Sequence, residues 1–341
     1  MELTYIVPLR CDGKCGGHQA LTAMLERLAA ADIEVLVADG SVPFIAERFH
    51  RFGAPGIRSI ALTPAEGHNG KVQAVCAGIA AASHERVIIA DDDVLYAPSQ
   101  ALQLGQLLRK AHLVVPQNYF VGRPRWHTLW DTARTLLNRC FAHDFPGTLA
   151  IRRSAFIHVG GYDDGVLFEN LELIRTIRAA GGRVHWADDV FIGRLAPEPR
   201  VFVSQRVRQA YDDLAQPSRL AFEASLLPMI VFGLRRPRWL VAGLVLASAF
   251  AEIGRRRGGA ARFFSPRATL AAPLWVAERA VCVWIAIGLR LARGGVRYRT
   301  SRLSTAATSE RRLQRRIAES ESWLPGPATK SLEATTRLPV P

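Results

Sequence analysis

Three consecutive aspartates, Asp91, Asp92 and Asp93, follow the apolar run Val87-Ile88-Ile89-Ala90. Such a run reads as a buried strand, so the carboxylates emerge together at its carboxyl end. Side chains alternate along an extended chain, which puts Asp91 and Asp93 on one side. Two carboxylates so placed suit Mg²⁺ or Mn²⁺, hard ions that take oxygen ligands and are shared with substrate phosphates. Taken alone, the triplet is read equally well as a solvated turn whose Asp caps a helix near residues 98–110. Asp39 tips the balance. It closes a second apolar run, residues 33–38, and in a parallel sheet it emerges on the same edge as Asp91 and Asp93. Acids gathered at one rim repel unless a cation or a donor-rich ligand, such as a uracil or a ribose, joins them. On its own, Asp39 also fits a plain Asp-Gly turn. Lys71 follows Asn69-Gly70 and opens an Ala-rich helix, where a cation and free N–H groups can hold a phosphate. A solvated lysine there is the competing reading, at a cost of only ~0.3–1 kcal/mol against the helix dipole.

The elements that would carry these groups alternate. Residues 4–8, 33–38, 57–62 and 86–90 read as strands, and 19–31 and 71–82 as helices. That order implies an α/β fold with a mixed, mostly parallel sheet flanked by helices, and ligands in such sheets bind beyond the carboxyl ends of the strands. Further on, 113–116, 148–152 and 183–191 read as strands. Residues 126–140, 168–180 and 203–214 read as helices, with Gly181-Gly182 as a stop signal.

Charge divides the chain. Its net charge is +14, yet residues 1–234 hold 24 Lys and Arg against 24 Asp and Glu. Residues 235–299 hold thirteen Arg against Glu252 and Glu278 only, interleaved with the most apolar stretches. This pattern fits a segment on or in an anionic leaflet and disfavours nucleic acid, which is met by a basic, polar, folded face. The uncharged runs 224–234 and 239–251 fall short of the ~20 residues of a spanning helix, and 268–289 carries Glu278-Arg279 at its middle. Interfacial or re-entrant helices fit best, with Trp239, Trp275 and Trp284 at a headgroup boundary; buried core helices are the alternative. The expected organisation is a sheet domain over 1–216, a membrane-associated helical region over 217–300, and a basic, disordered tail over 301–341 with a short helix around 310–319. Cys11 and Cys15 form a C-x₃-C pair with no second pair or His cluster, and read as ordinary thiols rather than a zinc or redox site. The first ten residues read as a strand rather than a signal peptide, so the sheet domain is expected to face the cytoplasm from the inner membrane.

In this order the residues resemble the family 2 glycosyltransferases, inverting enzymes of the GT-A fold. The matching pieces are Tyr5-Ile6-Val7-Pro8, Val37-Ala38-Asp39-Gly40-Ser41, Asn69-Gly70-Lys71 and the DxD-like Asp91-Asp92-Asp93. After them come Pro146-Gly147-Thr148 running to Arg153, Gly160-Gly161-Tyr162-Asp163, Glu169-Asn170-Leu171-Glu172 and Gln205-Arg206-Val207-Arg208. Trp275 to Arg279 and Gly294 to Arg299 look most like membrane-bound members related to ceramide glucosyltransferases.

The resemblance implies a nucleotide-sugar donor, a lipid or membrane-proximal acceptor and a divalent metal. It gives Asp39 the base, Lys71 the nucleotide, Asp91 and Asp93 the diphosphate through the metal, and Gly147 and Thr148 the acceptor side. The chain departs from the family at Asn170, where members carry an Asp as catalytic base; an amide takes no proton at neutral pH. Glu169 and Glu172 lie three residues apart and share a helical face, so either can serve as the base, or both are a solvated face. Gln209 stands where members have Trp, which leaves Arg208 to clamp the diphosphate without a stacking ring, or as a surface cation. Two readings follow: sugar transfer from a nucleoside diphosphate, UDP-linked, or a degenerate, non-catalytic member that binds nucleotide or a partner at the membrane.

Overall fold

The computed structural model describes residues 2–10, 18–41, 56–62, 69–161, 163–298 and 301–322. Cys11 and Cys15, Tyr162 and Arg299 of the motifs above, and the tail beyond residue 322 lie outside the described residues.

The strands are β1 (Thr4–Leu9), β2 (Glu34–Asp39), β3 (Ile57–Ala61), β4 (Arg86–Ala90), β5 (Val94–Leu95), β6 (Leu113–Phe120), β7 (Thr148–Arg152) and β8 (Val184–Arg194). They form one sheet in the order β3-β2-β1-β4-β7-β6-β8-β5. From β3 to β4 all neighbours run parallel, as do β6 and β8. Only β7, against β4 and β6, and the short β5, against β8, are antiparallel. The mixed, mostly parallel sheet expected from the strand–helix alternation is therefore present.

The helices are α1 (His18–Ala30), α2 (Gly70–Ala81), α3 (Pro98–Leu107), α4 (Trp126–Phe141), α5 (Arg153–His158), α6 (Glu169–Ala179), α7 (Pro199–Tyr211), α8 (Pro217–Leu234), α9 (Pro237–Arg256), α10 (Pro266–Leu270), α11 (Ala272–Arg293) and α12 (Glu310–Ser322). Strand periodicity of two sorts the core onto both faces of the sheet. Tyr5 and Val7 of β1 pack with Leu21, Met24 and Leu28 of α1, whereas Ile6 between them packs with Val75 and Ile79 of α2 and Ile174 of α6. β9 (Val296–Tyr298) and β10 (Ser301–Leu303) pair antiparallel after α11 as a separate two-stranded sheet, and Thr305 beyond them bridges to Val166.

Two strands outrun their sequence signals. Pro116 reads as the end of β6, but the strand continues to Phe120 because the ladder with β8 shifts register between Pro116 and Gln117. A bulge is where a strand tolerates a residue that cannot donate. β8 continues three residues past 191, which brings Arg194 to the rim. In the C-terminal part the helices are longer than the uncharged runs because they take in flanking polar residues. α8, α9 and α11 are each long and apolar enough to cross a membrane.

Register fixes where the acids emerge. Leu9 pairs with Asp39, and Ile6 pairs with Ile89 across the other edge of β1. Continuing that register puts Asp91 and Asp92 within a residue of Asp39's level, two strand spacings away, roughly 10 Å between backbones. Asp39 and the triplet share one rim.

Candidate active site

The rim is built from two acidic strand ends and the helices that start beside them. Asp39 is nearly fully buried, and its Oδ1 accepts the Ser41 N–H at 2.8 Å. That bond turns the chain immediately after β2 and holds the carboxylate at the sheet edge. Asp91 is held from three directions. Its N–H donates to the Gly147 carbonyl at 2.8 Å, its Oδ1 lies 2.6 Å from Lys71 Nζ, and its Oδ2 lies 3.6 Å from Arg194 Nη2. Lys71 Nζ also donates to Glu169 Oε1 at 2.7 Å, so one ammonium ties the triplet to the start of α6. The lysine is aimed by its helix: Asn69 caps α2, its Oδ1 accepting the Lys71 N–H at 3.1 Å.

Asp93 is paired on one oxygen only. Arg194 Nε donates to its Oδ2 at 2.7 Å, while Oδ1 is buried without a hydrogen-bond partner. Burial pushes the Asp93 carboxyl up, against the opposing charge of Arg194. The neighbouring Asp92 is crowded by protein and by the charges of Asp93 and Asp91, which raise its carboxyl to about 6. The cluster thus gathers Asp91, Asp92, Asp93 and Glu169 around two cations, Lys71 and Arg194. An excess of hard oxygen donors with one spare, buried lone-pair site is the donor set an Mg²⁺ or Mn²⁺ ion takes when a diphosphate and water complete its shell. Among the described residues no group of three or more His, Cys, Asp or Glu forms a ready-made metal cage.

Pro146-Gly147 lies directly beside Asp91. Asn118 Oδ1 accepts the Gly147 N–H at 2.8 Å, and Asn170 Nδ2 donates to the Pro146 carbonyl at 2.8 Å. Asn170 therefore braces this loop, a task for which an amide is suited and a carboxylate is not. Position 147 must be glycine: a Cβ there would lie 2.5 Å from Asp91 Oδ2. Thr148 turns inward instead. It is 1 % exposed, its hydroxyl donating to the Ile89 carbonyl at 2.7 Å and lying 2.9 Å from the Tyr96 hydroxyl.

The two glutamates of α6 part company. Glu169 reaches Lys71 at the rim. Glu172 is fully buried, with Oε2 accepting the Thr308 N–H at 2.6 Å. The segment carrying Thr308 also accepts from the chain just before Glu169, through Leu167 N–H to Thr305 at 3.0 Å and Phe168 N–H to Ala306 at 2.8 Å. Glu172 anchors that segment and does not share the rim with Glu169. Arg208, near the end of α7, acts on Asp212, whose carboxyl burial pushes well up, with Arg208 opposing and Asp213 and Glu169 adding to the rise. The carboxyl end of α7 thus lies within electrostatic reach of Glu169.

Sequence reasoning missed Arg194, Asn118 and Asp212. Arg194 and Asn118 lie on strand stretches beyond the expected strand ends, and no local pattern marks them. Asp212 stood in plain view beside the Gln205–Arg208 motif, but only the fold brings its charge within reach of Glu169.

The chain resembles several solved structures. One is the mannosyltransferase PcManGT from Pyrobaculum calidifontis in complex with GDP-Man and Mn²⁺, at 20 % identity and a TM-score of 0.49, covering 83 % of this chain and 87 % of that one. Others are GalNAc-T7 with UDP, GalNAc and Mn²⁺, at 16 % and 0.41 over 57 % and 44 %, and S. aureus TarS, at 15 % and 0.40 over 63 % and 42 %. No curated protein matches. The family model described as glycosyl transferase family 2 matches residues 17–160, a stretch that contains Asp39, Lys71, the aspartate triplet and Gly147. By that match residues 17–160 belong to glycosyl transferase family 2.

Proposed function

We propose that the chain moves a sugar from a nucleoside diphosphate donor, UDP-linked, to the hydroxyl of a lipid or membrane-proximal acceptor, with inversion and with a divalent metal. The observation that carries this reading is the meeting of Asp39, the Asp91–Asp93 edge, Lys71 and Glu169 on one rim of the sheet. Asp39 takes the base or ribose, whose donors suit a buried carboxylate. Asp91 and Asp93 would hold Mg²⁺ or Mn²⁺, which as a Lewis acid supplies neutralisation of charge on a departing diphosphate. Lys71 and Arg194 hold those two carboxylates in place, and Arg208 approaches the same rim from α7 as a further cation for the diphosphate.

Glu169 is the group we assign as base. Its Oε1 lies 2.7 Å from Lys71 Nζ at the start of α6, and it can take the acceptor hydroxyl's proton as oxygen attacks the sugar carbon from the far face. Glu172, buried against Thr308, does not meet solvent or substrate. Gly147 lines the acceptor side with its backbone. The amphipathic C-terminal helices hold the site at the cytoplasmic face of the membrane, where a lipid acceptor presents its hydroxyl.

One observation favours a second reading, nucleotide binding without turnover: Asn170 occupies the base position of the family motif and is used as a brace. One experiment decides between them. Purified full chain is given Mn²⁺ or Mg²⁺ and a panel of UDP-sugars, and UDP release and sugar transfer to extracted lipids are followed. Metal-dependent release that falls by about 10²-fold or more in Asp93→Ala supports transfer. UDP binding with no turnover on any donor supports the second reading, and unchanged activity in Asp93→Ala removes the assigned site.

A further inference from the structure

The length and apolarity of α8, α9 and α11 fit a membrane crossing, but their polar contacts do not. About a third of the way along α11, Arg279 is 1 % exposed and donates to Asp213 Oδ2 at 2.8 Å. Beside it, Glu278 Oε2 accepts the Trp130 indole N–H at 2.6 Å and lies 3.7 Å from Arg206. All three partners belong to the sheet-bearing part of the chain: Trp130 on α4, Arg206 on α7, and Asp213 in the turn that follows α7. Near the start of α8, Arg219 reaches the same Asp213 at 3.0 Å and Asn138 of α4 at 2.9 Å. The first third of α11 is therefore fastened to α4, to α7 and to the turn after it. Were α11 to cross a bilayer, its contacts with both helices would lie about 10 Å from its nearer end, inside the hydrocarbon, and α7 exposes Arg200 and Ser204 on its outer side. Exposed charge and hydroxyl have no water there.

The undocked faces form a continuous apolar surface. On α11 the docked positions Trp275, Arg279, Cys282 and Ala286 follow a three-to-four-residue period. The other stripe, Leu274, Val281, Ile285 and Leu291, is exposed along ~26 Å of helix. Beyond the contact of Trp284 Nε1 with the Ala224 carbonyl, α8 and α9 run on as a hairpin, packed against each other at Gly233 and Leu240 and otherwise exposed and apolar. About ten residues of each overhang, ~15 Å, which is half of a ~30 Å hydrocarbon core. The turn of the hairpin carries Arg235, Arg236 and Arg238. An upright hairpin would leave these three at the midplane. A flat one, level with the stripe on α11, brings them to the phosphates.

We propose that α8, α9 and α11 lie in the plane of one anionic phospholipid leaflet, apolar faces down and arginines on the phosphates, and cross it nowhere. Charge identifies the occupant. Residues 235–299 carry thirteen Arg and two acids, and both acids are already engaged: Glu252 with Arg255 and Arg256 at 2.7 Å each, and Glu278 with Trp130. Arg235, Arg236, Arg238, Arg262 and Arg267 are exposed, and an apolar groove on a second protein offers them no anion, whereas a leaflet of anionic lipid does.

The test reads no sugar transfer, so it stands or falls apart from the enzymatic reading. Full chain is added to preformed vesicles of phosphatidylcholine, alone or mixed with phosphatidylglycerol, and floated on a density gradient at low and high salt. Binding to the mixed vesicles, weakened about tenfold or more by omitting the anionic lipid and reduced by salt, is expected. On the bound protein, a membrane-impermeant maleimide added outside should label an Arg236→Cys variant above the wild-type background. Bromine high on the acyl chain should quench the fluorescence lost in Trp239→Phe better than bromine at the chain end. Absent binding, binding indifferent to lipid charge, an Arg236→Cys thiol reached only after detergent, or strongest quenching by deep bromine would each overturn the proposal.

Discussion

Asp91 Oδ2 leaves no room for a side chain at position 147, and that contact offers a test at the scale of one atom. In Gly147→Ala the new Cβ meets Oδ2 at 2.5 Å, and the loop cannot retreat because its N–H and neighbouring carbonyl are held by Asn118 and Asn170. The carboxylate must swing away, so the metal requirement should rise about tenfold or more while the melting temperature falls only slightly. A titration of activity against Mn²⁺ checks it; an unchanged half-saturating concentration would sink the assignment of Asp91. That Asp39, Lys71, Asp91 and Asp93 reach one edge of the sheet was legible in the sequence, because each follows or ends an apolar strand or opens a helix, and those positions fix which sheet edge a side chain reaches. The place of Glu172 was not. Spacing of three puts it near Glu169 on the helix, but its neighbour is Thr308, 136 residues away, and only tertiary contact tells a rim carboxylate from an anchor. Thr148 misled for a similar reason: strand alternation turns it from the acceptor side into the core beside Tyr96.

Among elements, the sheet, its flanking helices and the presence of the C-terminal helices were readable, and the docking of the C-terminal helices was not. Periodicity located β1, β2, β3 and β4, whereas Pro116 hid the second half of β6 behind a bulge that depends on β8. The C-terminal helices carried a clear apolar signal, but which face docks is decided by close packing that composition does not report. α9 shows the point. Gly254 sits against the backbone of α4, where a Cβ would lie 1.9 Å from the Leu136 carbonyl oxygen. No rotamer relieves a clash with backbone, so Gly254→Ala must lever α9 off α4 or unwind its last turn. The expected loss is about 3 kcal/mol or more in urea unfolding. Gly243→Ala on the same helix, where nothing lies within 4 Å, should be neutral or slightly stabilising. Equal losses at the two positions would mean that α9 does not dock as described.

For the molecule as a whole, acid should loosen the joint between the sheet and the helical layer before it disturbs the sheet. Asp131 of α4 lies 3.2 Å from Arg134 and 3.1 Å from Arg206, and Arg206 in turn faces Glu278 of α11. Burial alone would push the Asp131 carboxyl up, but the charges and hydrogen bonds of Arg134 and Arg206 outweigh it and hold it at about 2. An unfolded chain leaves the group near 3.9. A carboxyl depressed on folding stabilises the native state above the unfolded value, and that contribution drains away as the pH falls from about 5 through 2. The difference of roughly two units corresponds to about 2.5 kcal/mol. Urea midpoints measured from neutral pH to pH 2 should therefore fall more steeply for the wild type than for Asp131→Asn. The variant starts lower by about 3–5 kcal/mol because it leaves two guanidinium groups short of a partner. The gap should narrow by about 2.5 kcal/mol at the acid end, since protonated Asp131 offers the arginines little more than Asn does. Parallel curves would place the strength of the joint elsewhere, in the apolar contacts of Trp275 and Phe264 rather than in its charges.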